Sequence, residues 1–147
     1  MRRTRIRHLI ILGLLWATPL WGQSLSGDIV VDIRGLRNDD GLVRVSLYDS
    51  SSGFPNEISK ALDVKATEID NGEARVVFPR YSHGTYAIGL FHDENRNGVM
   101  DSNFLGVPQE GYGASNDARG RLGPPRYQDA AFEHDGPESR LTVTLEY

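Results

Sequence analysis

Apolar and polar residues alternate along several short stretches of the chain. The first runs from Ile29 to Ile33 and the last from Leu141 to Leu145. A period of two is typical of a β-strand with one face buried, and no long segment shows the 3.6-residue period of a helix. The alternation predicts six strands, with a seventh around 130–133, whose apolar positions include Ile29, Val31, Ile33, Val43, Val45, Leu47, Val76, Phe78, Tyr86, Ile88, Leu90, Leu141, Val143 and Leu145.

Turn-forming residues lie between these stretches. Asn38–Gly41 separates the first two strands, which we expect to form a hairpin. Asn71-Gly72 predicts a type I′ hairpin turn, because both of its central positions need positive φ. Pro79 is predicted to end the fourth strand, since it lacks a donor for the ladder. The spacing favours an all-β, antiparallel β-sandwich of the transthyretin-like or immunoglobulin-like kind.

The N-terminus has the order of features found in secretory signal peptides. Arg2, Arg3, Arg5 and Arg7 precede an apolar run over 9–20. That run is shorter than the roughly 20 residues of a membrane-spanning helix, which argues against an uncleaved anchor. We therefore predict a signal peptide over 1–22, a single domain over 23–147 and no membrane span after cleavage. The absence of cysteine favours the periplasm, with secretion second.

Charge narrows the choice of partners. The predicted signal peptide holds four of the 16 basic residues and none of the 20 acidic ones, so the mature chain is more acidic than the net charge of −4 of the whole. An acidic chain argues against nucleic acid or an anionic membrane surface as partner.

The segment 93–127 breaks the alternation and is predicted to be one long structured loop. It begins with Asp93-Glu94-Asn95-Arg96-Asn97-Gly98-Val99-Met100-Asp101. Counted from Asp93, oxygen-bearing side chains stand at positions one, three, five and nine, a glycine at six and the Val99 carbonyl at seven. This spacing matches most of an EF-hand calcium loop, in which alternate residues of a tight turn direct oxygens inward. The predicted calcium ligands are Asp93, Asn95, Asn97, Val99 and Asp101.

The motif departs from an EF-hand at position twelve. Phe104 stands there instead of a bidentate glutamate, and no amphipathic helix flanks the loop. Further oxygens would have to come from Asn103, Glu110 or water, which implies weak affinity, about 10⁻⁴–10⁻³ M. The alternative is a metal-free loop in which the same side chains accept hydrogen bonds from their own backbone.

A second group of residues further along is a candidate for ligand binding. Tyr112, Asn116, Arg126 and Tyr127 lie among Gly/Pro turns and could line a groove for a sugar or peptide. The competing interpretation is that the aromatic side chains pin the segment to the sheet.

Three classes of function remain open. We expect an exported binding or accessory module stabilised by calcium. A hydrolase-like enzyme using His92 and neighbouring carboxylates is an alternative, although the chain lacks a Gly-x-Ser-x-Gly elbow and a His-Glu-x-x-His motif. A structural or adhesion subunit that pairs through a strand edge is the third.

A set of runs spread over most of the chain forms a recognisable combination. These runs are 84–88, 91–101, 106–108, 110–113, Ser115-Asn116, 123–130 and the closing strand. Together they resemble the uncharacterised domain-of-unknown-function family 2141. The resemblance implies an exported bacterial β-sandwich with no established activity. Arg96 stands where glycine is common in that family, and Ala114 where an aromatic residue is expected.

Overall fold

The computed structural model describes residues 25–147, so the predicted signal peptide lies outside the described residues. The part of the chain that it covers is almost entirely β-structure, which confirms the all-β prediction. Its eight strands are β1 (Ser26–Arg34), β2 (Leu42–Tyr48), β3 (Asp63–Thr67), β4 (Ala74–Ser82), β5 (Gly84–Asp93), β6 (Tyr112–Ala114), β7 (Phe132–His134) and β8 (Glu138–Thr144).

Helical structure among these residues is confined to single turns. Two of them are 3₁₀ turns, at Ile58–Lys60 and Ser115–Asp117, and the third is the four-residue helix α1 (Tyr127–Ala130). No helix within 25–147 combines the length and the apolar character needed to cross a membrane.

The strands form two sheets. The first has the order β4-β1-β8, and the second has the order β3-β2-β5-β6, with β7 also pairing with β5. All pairs are antiparallel except β1 with β8, which is parallel and departs from the purely antiparallel prediction. The inward-facing residues of both sheets share one buried cluster, as the alternation predicted; it includes Ile29, Val31, Ile33, Val43, Val45, Leu47, Phe78, Ile88, Leu90 and Val143.

The predicted hairpin between the first two strands is wrong. β1 pairs with β4 and β8, whereas β2 pairs with β3 and β5, so the turn between them carries the chain from one sheet to the other. Alternation shows which face of a strand is buried. It does not distinguish a neighbour in the same sheet from a strand of the other sheet, and here β1 and β2 belong to different sheets.

The Asn71-Gly72 turn forms as predicted, with φ of 54° and 74°. The Asp39 carboxylate accepts hydrogen bonds from the backbone N–H groups of both turn residues, at 3.1 and 2.8 Å. Only the flanking pair Asp70–Glu73 is bridged in the antiparallel manner. The flanking strands β3 and β4 belong to different sheets, so the hairpin predicted around this turn is wrong beyond that one pair.

Pro79 does not end β4, contrary to the prediction. β4 lies at the edge of its sheet and continues to Ser82. The register with β1 shifts opposite Pro79, between Gly27 and Ile29. Arg80, with φ of 58°, donates its N–H to the Asp28 carboxylate at 2.9 Å. A bulge at an edge strand accommodates a residue that has no ladder donor.

β5 is buried on both faces, and this determines the role of the segment that follows it. Its outer face is covered by a second small cluster, formed by Ala87, Ala114 and Ala130 with Phe54 and Tyr127 packed around them. The predicted long loop over 93–127 is therefore interrupted by β6, a 3₁₀ turn and the first residue of α1. Its first half extends from the end of β5, and its second half packs back on β5.

Candidate functional site

The candidate site begins where β5 ends, at Asp93. This residue is fully buried. Its Oδ1 accepts a hydrogen bond from the N–H of Asn97 at 2.9 Å, and its Oδ2 accepts one from the N–H of Gly98 at 2.9 Å. Arg44 on β2 donates from Nε to Oδ2 at 2.5 Å. The carboxylate therefore holds both the following turn and the neighbouring strand.

These contacts keep Asp93 ionised. Burial alone would raise the pKa of its carboxyl group, but the hydrogen bonds from Arg44 and from the backbone of Gly98 and Asn97 outweigh burial, so the pKa lies below its usual range. The site consequently contains a buried negative charge with a guanidinium beside it.

Two of the other predicted ligands, Asn95 and Asn97, contact Asp101. The Asn95 Nδ2 atom lies 2.7 Å from Asp101 Oδ2, and the Asn97 Nδ2 atom lies 3.1 Å from Asp101 Oδ1. Three of the predicted ligand side chains thus meet, and the fourth, Asp93, holds the backbone of the turn between them. We call residues 93–101 the Asp93 loop.

The same side chains also accept hydrogen bonds from the backbone of the loop. Asn95 Oδ1 accepts from the N–H of Asn97 at 3.0 Å, and Asn97 Oδ1 accepts from the N–H of Val99 at 2.9 Å. Both contacts are Asx turns, the metal-free arrangement considered above. An amide oxygen has two lone pairs, so these contacts leave one on each residue.

Two residues take the left-handed conformations that bend the Asp93 loop. Gly98 has φ of 84° at the position where the spacing requires a sharp bend, and Arg96 has φ of 60°. The guanidinium of Arg96 pairs with Glu68 on the surface, at 2.8 Å. Glycine adopts such φ values without the steric penalty that a side chain brings. Arg96 therefore bears a steric penalty at its position that Gly98 does not.

Glu110 closes the loop from the far end. It is 4 % exposed, and its two oxygens accept the N–H groups of Glu94 at 2.9 Å and of Asp101 at 3.0 Å. Both ends of the Asp93 loop are thereby held by one carboxylate. Of the two additional ligands predicted from the sequence, Glu110 is the one that lies at the loop.

Asn103, the other additional candidate, shapes a separate turn. Its Oδ1 accepts hydrogen bonds from the N–H groups of Leu105 and Val107, at 2.9 and 3.1 Å. Ser102 and Pro108 are bridged, so residues 102–108 form a small hairpin. Phe104 is 94 % and Leu105 72 % exposed at its tip. The hairpin therefore presents apolar side chains to solvent.

Carboxylate and imidazole groups do not assemble a metal site by themselves anywhere within residues 25–147, where no three of them come together. The predicted set for the Asp93 loop differs in kind, because it combines two carboxylates with two amides and a carbonyl oxygen. Calcium accepts such mixed oxygen sets. The calcium interpretation thus stays a prediction, and the convergence on Asp101 defines where it applies.

The predicted groove residues lie in two places. Asn116 and Arg126 both contact the region of α1: Asn116 Nδ2 donates to the Ala131 carbonyl at 2.8 Å, and Arg126 pairs with Asp129 at 2.8 Å. Tyr127 donates to the Thr85 carbonyl at 3.1 Å and packs edge-on against Phe54. Tyr112 lies on β6, bridged to Glu146. Asn116, Arg126 and Tyr127 thus join parts of the segment 112–131 to one another and to β5.

His92 is buried near the end of β5, at the edge of the core. It is fully buried, and its Nε2 lies 2.5 Å from the Asp40 carbonyl, so that nitrogen carries the proton. Its Nδ1 then accepts a hydrogen bond from the Tyr147 hydroxyl at 2.7 Å. Both ring nitrogens are engaged with protein groups, which leaves neither available to a substrate in this arrangement.

Arg44 and Ser115 are important residues that sequence reasoning missed. Arg44 is one of the polar residues of an alternating strand, and only the sheet register places it next to Asp93. Ser115 is fully buried, where it accepts the N–H of Ile88 at 2.9 Å and donates to the Ala130 carbonyl at 2.5 Å. Neither residue has a signal in its local sequence, because its partners are distant in the chain.

Comparisons with known proteins identify the family but no activity. No curated protein and no solved structure matches the chain. The model of a family described as "Uncharacterized protein conserved in bacteria (DUF2141)" matches residues 31–142. That range spans all but the first part of β1 and the end of β8, and it contains the whole Asp93 loop. The chain belongs to this family, DUF2141.

Proposed function

We propose that this protein is an exported binding or accessory module, a β-sandwich of the transthyretin-like or immunoglobulin-like kind, whose Asp93 loop binds calcium. The N-terminal pattern of arginines followed by an apolar run supports export to the periplasm or beyond. Two sheets that share one buried cluster support the sandwich. The calcium-bound loop would order the adjacent 102–108 hairpin.

The observation that carries the calcium proposal is that Asn95 and Asn97 meet the Asp101 carboxylate in a loop whose backbone is held by Asp93. Asn95 and Asn97 both lie within 2.7–3.1 Å of the Asp101 carboxylate. Two carboxylates and two amides supply hard oxygen ligands. The Val99 carbonyl lies in the same loop, and Glu110 is hydrogen-bonded to both ends of it. A cation between these groups would replace the amide–carboxylate hydrogen bonds with shorter metal–oxygen contacts.

The role assigned to calcium is structural. Its predicted ligands are side chains that already shape the turn, and no nucleophile lies among them. With a dissociation constant near 0.1 mM, calcium at 1 mM would stabilise the folded state by about 1.4 kcal/mol.

The binding role is supported by the 102–108 hairpin. Phe104 and Leu105 are large apolar residues with high exposure at a turn that Asn103 holds in shape. Exposed apolar clusters on soluble domains commonly mark contact surfaces. The hairpin and the Asp93 loop are joined through Asp101 and Glu110, so order in one favours order in the other.

Thermal unfolding tests the calcium proposal. The chain without residues 1–22 is melted with excess chelator, with 1 mM calcium and with 1 mM magnesium, and we expect calcium to raise Tm by roughly 5 °C. Asp101→Ala should abolish that gain. Asp135→Ala is the matched control, because Asp135 is an exposed carboxylate that makes no hydrogen bond or ion pair among the described residues. Equal melting in chelator and calcium would reject the proposal.

The strand-edge alternative retains one supporting observation. β8 is an edge strand that contains neither lysine nor proline, the residues that commonly block edge pairing. The edge at β4, in contrast, carries Pro79 and a bulge. Sedimentation at high protein concentration tests self-pairing through β8, and a monomer at all concentrations would exclude it.

A further inference from the structure

Arg44 is positioned beside the Asp93 loop by the pairing of β2 with β5. Its register partner on β5 is Phe91, two residues before Asp93. Successive side chains of a strand point to opposite faces, so Arg44, Phe91 and Asp93 lie on the same face of the sheet. This face is opposite to the one that carries Val43 and Val45 into the core. The guanidinium is therefore a diagonal cross-strand neighbour of the carboxylate.

The guanidinium extends from the first to the sixth position of the loop. Its Nε contacts Asp93 Oδ2 at 2.5 Å, and its side chain is only 26 % exposed. A Cβ atom placed on Gly98 would lie 3.5 Å from Nη2. A fixed positive charge therefore lies against the first predicted ligand, Asp93, and beside the glycine at the sixth position of the loop.

We propose that Arg44 is an internal cation that sets the calcium affinity of the Asp93 loop. In the metal-free protein it neutralises the buried Asp93 carboxylate and holds the loop in shape. Arg44 also occupies one carboxylate oxygen of the predicted ligand Asp93, and its charge repels the incoming calcium ion. This inference rests on the proposed function, since it concerns the same site.

The other charges around the loop do not substitute for Arg44. Arg96 points to the surface, where it pairs with Glu68, and Arg37 forms a two-point pair with Glu94 at 2.6 Å. Asp101 and Glu110 add negative charge to the loop. Replacing Arg44 with a neutral residue therefore leaves Asp93, Asp101 and Glu110 with no compensating cation in contact with Asp93, a situation that favours a divalent ion.

The test compares calcium binding by the purified protein and three variants, using calorimetric titration with calcium chloride. Arg44→Gln removes the charge, and we expect calcium to bind about tenfold more tightly. Arg44→Lys keeps the charge and should bind within about threefold of the unmodified protein. Arg75→Gln is the matched control: Arg75 makes a similar pair with Asp32 at 2.5 Å in the other sheet, and its loss should leave affinity unchanged.

Melting in chelator adds a second readout. Arg44→Gln should melt at a lower temperature than the unmodified protein without calcium, and the difference should shrink when calcium is added. If Arg44→Gln does not fold in chelator, calcium should restore its fold while magnesium does not. A variant that stays unfolded in calcium would contradict the inference.

The outcomes separate this inference from the proposed function. If the unmodified protein binds calcium and Arg44→Gln binds no more tightly, the inference fails and the calcium site stands. If only Arg44→Gln binds calcium, the inference stands and the proposed function fails, because Arg44 then takes the place of the metal. If neither binds, both are rejected.

Discussion

Two consecutive parts of the chain, 93–111 and 112–131, both lie largely outside the main sheets and are held in place by different forces. The first part is organised by hydrogen bonds from Asp93 and Glu110 to backbone N–H groups. The second part is organised by apolar packing of Ala114, Ala130 and Tyr127 on the outer face of β5. In the sequence they form one uninterrupted stretch rich in glycine, proline and asparagine.

The difference has consequences for stability and for function. Apolar contact on β5 favours the folded segment irrespective of ions or pH. The Asp93 loop instead concentrates buried charge, and a buried charge is stable only while its partners are present. We therefore assign a structural role to residues 112–131 and place the ion-sensitive behaviour in residues 93–111.

The largest expected effect comes from removing a carboxylate that organises residues 93–111. Asp93→Asn removes the negative partner of Arg44 and weakens the hydrogen bonds that Asn97 and Gly98 donate. Because Arg44 would be left partly buried without its counter-charge, we expect a loss of about 3 kcal/mol in the free energy of unfolding. Urea unfolding in chelator measures this loss. A change below about 1 kcal/mol would show that Asp93 does not hold the loop.

A smaller loss of stability is expected from a substitution in residues 112–131, the part that packs on β5. Ser115→Ala leaves the N–H of Ile88 and the carbonyl of Ala130 without their side-chain partner, in a position with no exposure. We expect a loss of about 2 kcal/mol. The same loss should be measured in chelator and in calcium. A loss that depends on calcium would contradict the separation between the two halves.

Low pH should destabilise residues 93–111 more than residues 112–131, and this is the smallest of the three expected effects. The Asp93 pKa is below its usual range because hydrogen bonds from Arg44 and the backbone outweigh burial, and the Glu94 pKa is lowered chiefly by Arg37. A carboxyl group with a lowered pKa in the folded state contributes stability above its unfolded pKa of about 4, and this contribution is lost as the pH falls further.

Urea unfolding between pH 7 and pH 3 checks this expectation. The unmodified protein and Ser115→Ala should lose stability in parallel below about pH 4. Asp93→Asn should lose less, because it has already lost the titrating group. An Asp93→Asn variant as acid-sensitive as the unmodified protein would assign the effect to other carboxylates.

The buried faces of the strands could be predicted from the sequence, because burial on one side of a sheet imposes a period of two. Ile29, Val31 and Ile33 are fully buried as the alternation predicted. The partners of each strand could not be predicted in the same way. β1 and β2 belong to different sheets instead of pairing, and the alternation along a strand is the same in either case.

The candidate site shows the same division. The spacing of Asp93, Asn95, Asn97 and Asp101 predicted that their side chains meet, since a tight turn brings alternate residues to one side. Asn95, Asn97 and Asp101 do meet, and Asp93 holds the backbone of the same turn. Arg44 could not be predicted, because its position beside Asp93 depends on the register between β2 and β5. The local spacing thus identified the loop, whereas Arg44 reaches it from a strand that is distant in the sequence.

Hydrogen exchange of backbone amides in calcium and in chelator tests the central claim most directly. Calcium should slow exchange in peptides covering 93–111, where the N–H groups of Asn97 and Gly98 are bonded to Asp93. Exchange in peptides covering 112–131 and in β5 at Ile88 should stay unchanged. Magnesium at the same concentration is the control. Unchanged exchange over 93–111, or equal slowing of both segments, would contradict a calcium site in the Asp93 loop.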